Sequence, residues 1–406
     1  MGMTDTTGFG RLLASVSPLL IALASCGASS SGENARGAAE SAASEPATDS
    51  DGFHIEPLAQ FDEPWAMDLD KSTGIQLITE RKGTMKLRLP DGRIGEVSGM
   101  PEVAYGGQGG LGDVVFAPGQ SGGDSLDGRT IYLSWAEAGQ ENTYGAAVGR
   151  GTLTCTQPTS CDLRGLEVIW RQEPKVTGQG HYSHRIAFSP DGSHLFISSG
   201  DRQKMTPAQD LSNTLGTIVR LNLDGTPAAG NPFADRGSPS DQIWSYGHRN
   251  MLGLAFGPDG RLWAMEHGPA GGDEINLIKP GQNYGWPLVS EGEHYDGKPI
   301  PDNDTRPDLT APAISWDPVI APGNFIFYSG EAFPQWKGEA LVGGMKPNVL
   351  VRVDFDGETA REVARYPMEH RIRELQQAPD GSVWLLEDGK EAGAGRLLKL
   401  APGAPR

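Results

Sequence analysis

The chain has 406 residues, 56 of them glycine and 30 proline. Its 52 Asp and Glu outnumber its 34 Lys and Arg, giving a formal net charge of -18. An acidic surface repels nucleic acid and anionic lipid headgroups, which removes both as partners, and the length allows one large all-β domain or two ordinary ones.

The first element is a targeting segment. Arg11 precedes the apolar run Leu19-Leu-Ile-Ala-Leu-Ala24, too short to span a bilayer as a mature helix. The run ends in Leu23-Ala-Ser-Cys26, which resembles a bacterial lipobox and implies cleavage before a diacylglyceryl-modified Cys26. An ordinary secretory peptide cut nearby is the alternative. On the lipobox reading, residues 1–25 are a lipoprotein signal peptide. Residues 26–52, mostly Ser, Ala, Gly and Glu, are a flexible tether with too little apolar surface to offset ordering entropy. The protein is then exported and lipid-anchored to a bacterial membrane, on its periplasmic or cell-surface side. With Cys26 lipidated, Cys155 and Cys161 remain and read as a disulfide closing a small surface loop.

From residue 53 to 406 one phrase recurs. Phe188-Ser-Pro-Asp-Gly192, Phe256-Gly-Pro-Asp-Gly260 and Ala378-Pro-Asp-Gly381 are the strong copies, each followed by a short β-rich run. Leu89-Pro-Asp-Gly92, Leu223-Asp-Gly225 and Phe355-Asp-Gly357 are looser relatives. Pro presets φ, Asp caps the backbone and Gly accepts positive φ, so each phrase predicts a hairpin turn. Long amphipathic helical periods are nearly absent, the best candidate being a short one near residues 207–215. The expected fold is all-β, a six-bladed β-propeller of four-stranded antiparallel blades at roughly 55–60 residues per blade, with seven blades as the alternative. Chemistry should collect on loops at one end of the central channel.

Candidate functional residues follow in chain order. Gln108 lies among four glycines, in a loop that lets a ligand approach closely but lacks the features of a phosphate loop. His181, on a glycine-rich loop before a strand, is a candidate general base, and Asp201 at the end of the next strand could orient it; a merely exposed loop histidine is the alternative. Arg249 and Asn250 put a guanidinium beside a carboxamide on a turn. Glu266-His-Gly-Pro-Ala-Gly-Gly-Asp273-Glu274, followed by Asn283-Tyr-Gly-Trp-Pro287, combines free backbone carbonyls with carboxylates, the oxygen donors Ca²⁺ selects; a β-turn with solvated acids is the plainer reading. Lys346, Arg371 and Arg373 are cations at strand ends and fit either a polyanionic ligand or cross-strand ion pairs.

Taken together, these motifs resemble, in the same order and from about Leu58 to Leu400, the soluble pyrroloquinoline-quinone (PQQ)-dependent aldose sugar dehydrogenases, which are six-bladed propellers. The resemblance implies oxidation of aldoses at the anomeric carbon to lactones, with electrons leaving to an external acceptor. His181 would be the proton acceptor. Arg249 and Asn250 would contact the quinone, Lys346, Arg371 and Arg373 would grip its carboxylates, and Gln108 and Tyr295 would make further cofactor contacts. The carbonyls of Gly268 and Pro269 would bind a catalytic Ca²⁺, while Asp273, Glu274 and Tyr284 would form a second, structural Ca²⁺ site. Two departures bear on substrate. Gly180 stands where glucose-preferring members carry an acid, and Met251-Leu252 replaces their Pro-Gln. A non-catalytic propeller lipoprotein binding glycan or a protein partner is the competing reading, and a Ca²⁺-dependent lactonase a third.

Overall fold

The turns predicted from Pro-Asp-Gly form as the residue chemistry requires. Asp191, Asp259 and Asp380 each accept, at 3.0 Å, the amide two residues on, from Ser193, Arg261 and Ser382. The following Gly192, Gly260 and Gly381 have φ of 69°, 77° and 80°. Each turn joins the first two strands of a sheet: Ser183–Phe188 to His194–Ser199, Met251–Phe256 to Leu262–Glu266, and Ile372–Gln377 to Val383–Glu387.

A computed structural model describes residues 52–403 apart from Ser121. The expected signal peptide and lipobox and nearly all of the expected tether lie outside the described residues. The fold is all-β with propeller-like sheets. Two four-stranded antiparallel sheets begin at Ser183–Phe188 and Met251–Phe256, and a third runs through Pro322–Phe327, Ala340–Met345, Asn348–Asp356 and Thr359–Pro367. A fourth combines chain ends, in the order Phe53–Gln60, Arg396–Pro402, Val383–Glu387, Ile372–Gln377.

The remaining large sheet has nine strands rather than four. Within it Ile94–Ser98 pairs in parallel with Ser160–Arg171, with Val97 opposite Cys161, so two antiparallel groups merge edge to edge. The cause is the long hairpin of Thr143–Gln157 and Ser160–Arg171, which reaches past its own group. Its tip carries the Cys155–Cys161 disulfide, and Cys161 is buried against Leu87, Val97 and Leu163 rather than lying on the surface. The expected helix near residues 207–215 is one 3-10 turn, Thr206–Gln209, opened by Pro207.

The first strands of successive groups neighbour one another in a closed circle: Pro64–Leu69, Leu111–Phe116, Ser183–Phe188, Met251–Phe256, Pro322–Phe327, Ile372–Gln377, then Pro64–Leu69 again. Apolar clusters fill the wedges between sheets; Trp263, Phe325 and Val351 form one and Trp336, Leu350 and Leu385 another. No helix among the described residues is long and apolar enough to cross a membrane.

Candidate active site

Antiparallel pairing brings the one or two residues before each first strand and the one or two residues after each second strand to the same end of the channel. His181, Arg249, Asn250 and Arg371 occupy the former kind of position. Arg81, Asp201, His267, Lys346 and Asp388 occupy the latter.

His181 is buried, and its Nδ1 lies 2.7 Å from Asp201 Oδ1. A carboxylate only accepts, so Nδ1 carries the proton and the Nε2 lone pair stays free. Burial lowers the imidazole's pKa, with Asp201 opposing and the Arg249 charge adding to the shift, so the ring is neutral at neutral pH. Burial pushes the Asp201 carboxyl up, but the His181 and Trp286 hydrogen bonds outweigh it and hold the group below its ordinary value. Trp286 Nε1 donates to Asp201 Oδ2 at 2.8 Å.

The loops carrying this pair are held in unusual backbone conformations. His181, Ser183 and His184 have φ of 48°, 57° and 55°, and Arg202 and Gln203 opposite have 55° and 59°. Non-glycine residues in this region cost on the order of 1–3 kcal/mol each and persist where surroundings over-determine them. Arg202 does that here. It is buried, and it donates to the carbonyls of Gly178, Gly180 and Tyr144 at 2.6–2.7 Å. The His181 amide in turn donates to Gln108 Oε1 at 2.8 Å. At Gly180 a Cβ would meet the Gln203 carboxamide oxygen at 2.4 Å, so the space of the expected acid is filled by a neutral amide.

Beside this pair is a cavity lined by Gln108, Trp65, Arg81, Arg371, Arg373 and Lys390, among others. Arg371 Nε and Arg373 Nη2 both donate to Asp388 Oδ2, at 2.9 and 3.0 Å. One carboxylate thus faces Arg371, Arg373 and the nearby Lys390, and the wall is left net positive. Burial lowers the Arg373 pKa to about 10, its cationic neighbours adding to the effect. Arg81 donates to Glu63 and to the carbonyls of Gly107 and Gly109, shaping the Gln108 loop. Among the described residues, the buried donors without a partner include Tyr182 Oη, Arg249 Nε, Asn250 Nδ2 and Arg373 Nε. Bare buried donors are costly, and an anionic, oxygen-rich ligand would satisfy them.

Arg249 reaches the His267 carbonyl at 3.0 Å and the Tyr295 hydroxyl at 3.2 Å, and its backbone amide donates to the buried Glu266. The Ser183 hydroxyl donates to Asn250 Oδ1 at 3.3 Å. Tyr295 is 78 % exposed. Lys346 is set apart from the rest: its side chain is exposed and does not line the cavity.

The donors expected for metal divide differently. Asp273 is buried, and both its oxygens accept backbone amides, from Gly268, Ile320 and Ala321. Its carboxylate therefore shapes the turn that carries Gly268 and Pro269. A Cβ on Gly268 would meet the Gly271 and Gly272 carbonyl oxygens at 2.2 Å, so this turn gathers backbone oxygens. Glu274 sits near Glu266, Glu291 and Asp273; burial first, then those charges, push its carboxyl well above the usual range. Asn276 Oδ1 beside it is buried and unpartnered. These hard oxygens suit Ca²⁺. The Tyr284 hydroxyl does not, because it donates to Leu277 at 2.5 Å and accepts from Lys279 at 2.9 Å. Among the described residues, no three His, Cys, Asp or Glu side chains converge as a metal cluster.

A family model described as Glucose / Sorbosone dehydrogenase matches residues 61–399. The chain belongs to that family. It is 36% identical over 351 residues to aldose sugar dehydrogenase YliI of Escherichia coli strain K12, covering 84% of this chain and 91% of that one. The crystal structure of the soluble aldose sugar dehydrogenase from Escherichia coli, in the apo-form, superposes with a TM-score of 0.79 at 35% identity, over 86% of this chain and 99% of that one. The PQQ-bound form of aldose sugar dehydrogenase from Streptomyces coelicolor gives a TM-score of 0.68 at 26% identity, over 86% and 98%.

Sequence reasoning missed Arg81, Asp388, Lys390 and Trp286. The first two sit directly after second strands, and Asp201 one residue further on past Gly200; that shared position was the available signal. Lys390 follows two residues later, past the Gly389 turn. Trp286 carried none, since its role depends on a loop from another sheet.

Proposed function

We propose that this sugar dehydrogenase family member oxidises aldoses at the anomeric carbon to lactones, using PQQ and Ca²⁺ and passing electrons to an external acceptor. The observation that carries the reading is a neutral, Asp201-bound His181 beside a cationic cavity with bare donors. When bound, the quinone supplies a two-electron acceptor and Ca²⁺ supplies Lewis acidity. Arg371, Arg373 and Lys390 would hold its carboxylates, Gln108 and Asn250 would give it further polar contacts, and Arg249 would offset negative charge developing beside His181. His181 Nε2 takes the anomeric hydroxyl proton, and Asp201 stabilises the imidazolium that results. The two merged groups of the nine-stranded sheet count as separate blades in this reading, which makes the propeller six-bladed. The test adds PQQ and Ca²⁺ to purified protein and screens aldoses with an artificial dye acceptor. A protein that binds the quinone yet oxidises no aldose would sink the proposal.

Calcium has its own readout. At a hundredfold excess over its Kd, a ligand stabilises the fold by about 2.7 kcal/mol. Ca²⁺ should therefore raise the Tm of quinone-free wild-type protein. In Glu274→Gln the repulsion around Glu274 is relieved, so stability without metal should hold or improve while the response to Ca²⁺ falls. A full Tm response in that variant would remove Glu274 from the ligand set.

Anchoring rests on Leu23-Ala-Ser-Cys26. Two or more acyl chains suffice for stable attachment. Cys26→Ser should shift the protein from the membrane to the soluble fraction; unchanged partitioning would refute lipidation.

A further inference from the structure

Trp286 touches both the His181–Asp201 pair and Arg249. Its indole N–H donates to Asp201 Oδ2 at 2.8 Å, which also takes the Met205 amide at the longer 3.3 Å, while Asp201 Oδ1 takes His181 Nδ1 at 2.7 Å and the Gln203 amide at 2.8 Å. The same ring faces the Arg249 guanidinium, 5.2 Å from its centroid. The ring is held in turn. Its amide donates to the Gly247 carbonyl, its own carbonyl accepts Gln209 Nε2 at 2.8 Å, and it packs with Ala208 and Ile300.

We infer that Trp286 is a positioning residue for the proton-transfer step: its N–H fixes the Asp201 carboxylate so that Oδ1 faces His181, and its ring seats Arg249 beside the same imidazole. The inference rests on the reading of His181 as base. A carboxylate with one oxygen held by a fixed donor cannot rotate away from the imidazole, and part of its charge is already satisfied. The N–H therefore acts with the Gln203 and Met205 amides on the orientation of His181, and as the one side-chain donor on Oδ2 it tunes the strength with which Asp201 favours the imidazolium. The charged and titratable groups facing His181 are Asp201, Arg249, Arg202 and His267. Only Asp201 among them is bonded to Trp286.

The sign follows. Without the N–H, the Asp201 charge is less satisfied, holds the imidazolium more strongly, and the His181 pKa rises. The primary measurement is an NMR titration of the His181 imidazole in quinone-free protein, with the resonance assigned by its loss in His181→Gln. Trp286→Phe should move that titration to higher pH. In loaded enzyme it should lower kcat by roughly ten- to a hundredfold, as expected for a lost hydrogen bond to a charged group, and move the acid limb of kcat/KM the same way. Quinone affinity should change little, since Arg371 and Arg373 remain. Phenylalanine is smaller, so Trp286→benzothienylalanine, which keeps the bicyclic shape but lacks the N–H, serves as the second variant. In an Asp201→Asn background, either change should add nothing to the His181 titration shift.

An unshifted titration in both variants overturns the inference. So does a raised KM with unchanged kcat, which would make Trp286 a wall of the pocket. A shifted titration in a protein that oxidises no aldose would uphold the positioning role and defeat the proposed function instead.

Discussion

His181→Gln is expected to lower aldose turnover by roughly 10²–10⁴-fold, the usual cost of a lost general base, with fold and quinone reconstitution preserved. The geometry supports the separation. His181 is tied to Asp201 by its side chain and to Gln108 by its amide, and the second tie survives the substitution. The cavity cations Arg371, Arg373 and Lys390 belong to another sheet and its loops. The pH dependence has a definite sign. A base must be unprotonated, so the rate falls as pH drops through the His181 pKa. Burial and Arg249 lower that pKa, so activity should extend further into acid than an ordinary histidine near 6.5 permits. Single-turnover rates across pH for both proteins, each loaded with PQQ and Ca²⁺, provide the check. Near-normal turnover in the variant would exclude His181 as the base.

Arg373→Ala should weaken quinone reconstitution far more than Lys346→Ala. Arg373 is buried with an unpartnered Nε, whereas Lys346 is exposed. Truncating one partner of a desolvated charge contact costs about 2–5 kcal/mol, or roughly thirty-fold to several-thousand-fold in affinity. Asp388 keeps Arg371 as partner, so the loss should not unfold the sheet. Titration of each variant with PQQ, followed by recovered activity and by quenching of tryptophan emission, distinguishes the two sites. Equal affinities would mean that the Arg373 cluster is a structural ion pair.

The turns and strands were legible because Pro-Asp-Gly specifies a backbone path with local chemistry alone. Asp191, Asp259 and Asp380 need nothing beyond two neighbouring residues to do their work. His181 with Asp201 was legible for a similar reason, since both lie at the ends of one hairpin. What the sequence could not show was contact between sheets. Whether Lys346 or Lys390 turns into the cavity depends on the strand each one leaves. Trp286 and Asp201 meet although 85 residues separate them. The parallel join of Ile94–Ser98 with Ser160–Arg171 was likewise invisible, because no residue pattern states how far a hairpin overreaches. Arg371 and Arg373 posed an opposite difficulty. Ligand grip and ion pairing were both legible, and the structure gives them one shared carboxylate with charge to spare.

Phe53–Gln60 lies beside Arg396–Pro402, with Phe53 opposite Pro402. Joining strands separated by about 340 residues costs roughly 5 kcal/mol of loop-closure entropy at (3/2)RT ln n for an unfolded chain, a cost that falls only once the intervening sheets have formed. That sheet therefore cannot be finished while the ribosome still holds the last strand, and it should be a late event in folding. The sheet it completes is also the one bearing Arg371, Arg373 and Asp388. A nascent or clipped polypeptide lacking its final strand would have no firm anion grip, so quinone capture should report that synthesis and closure are both complete.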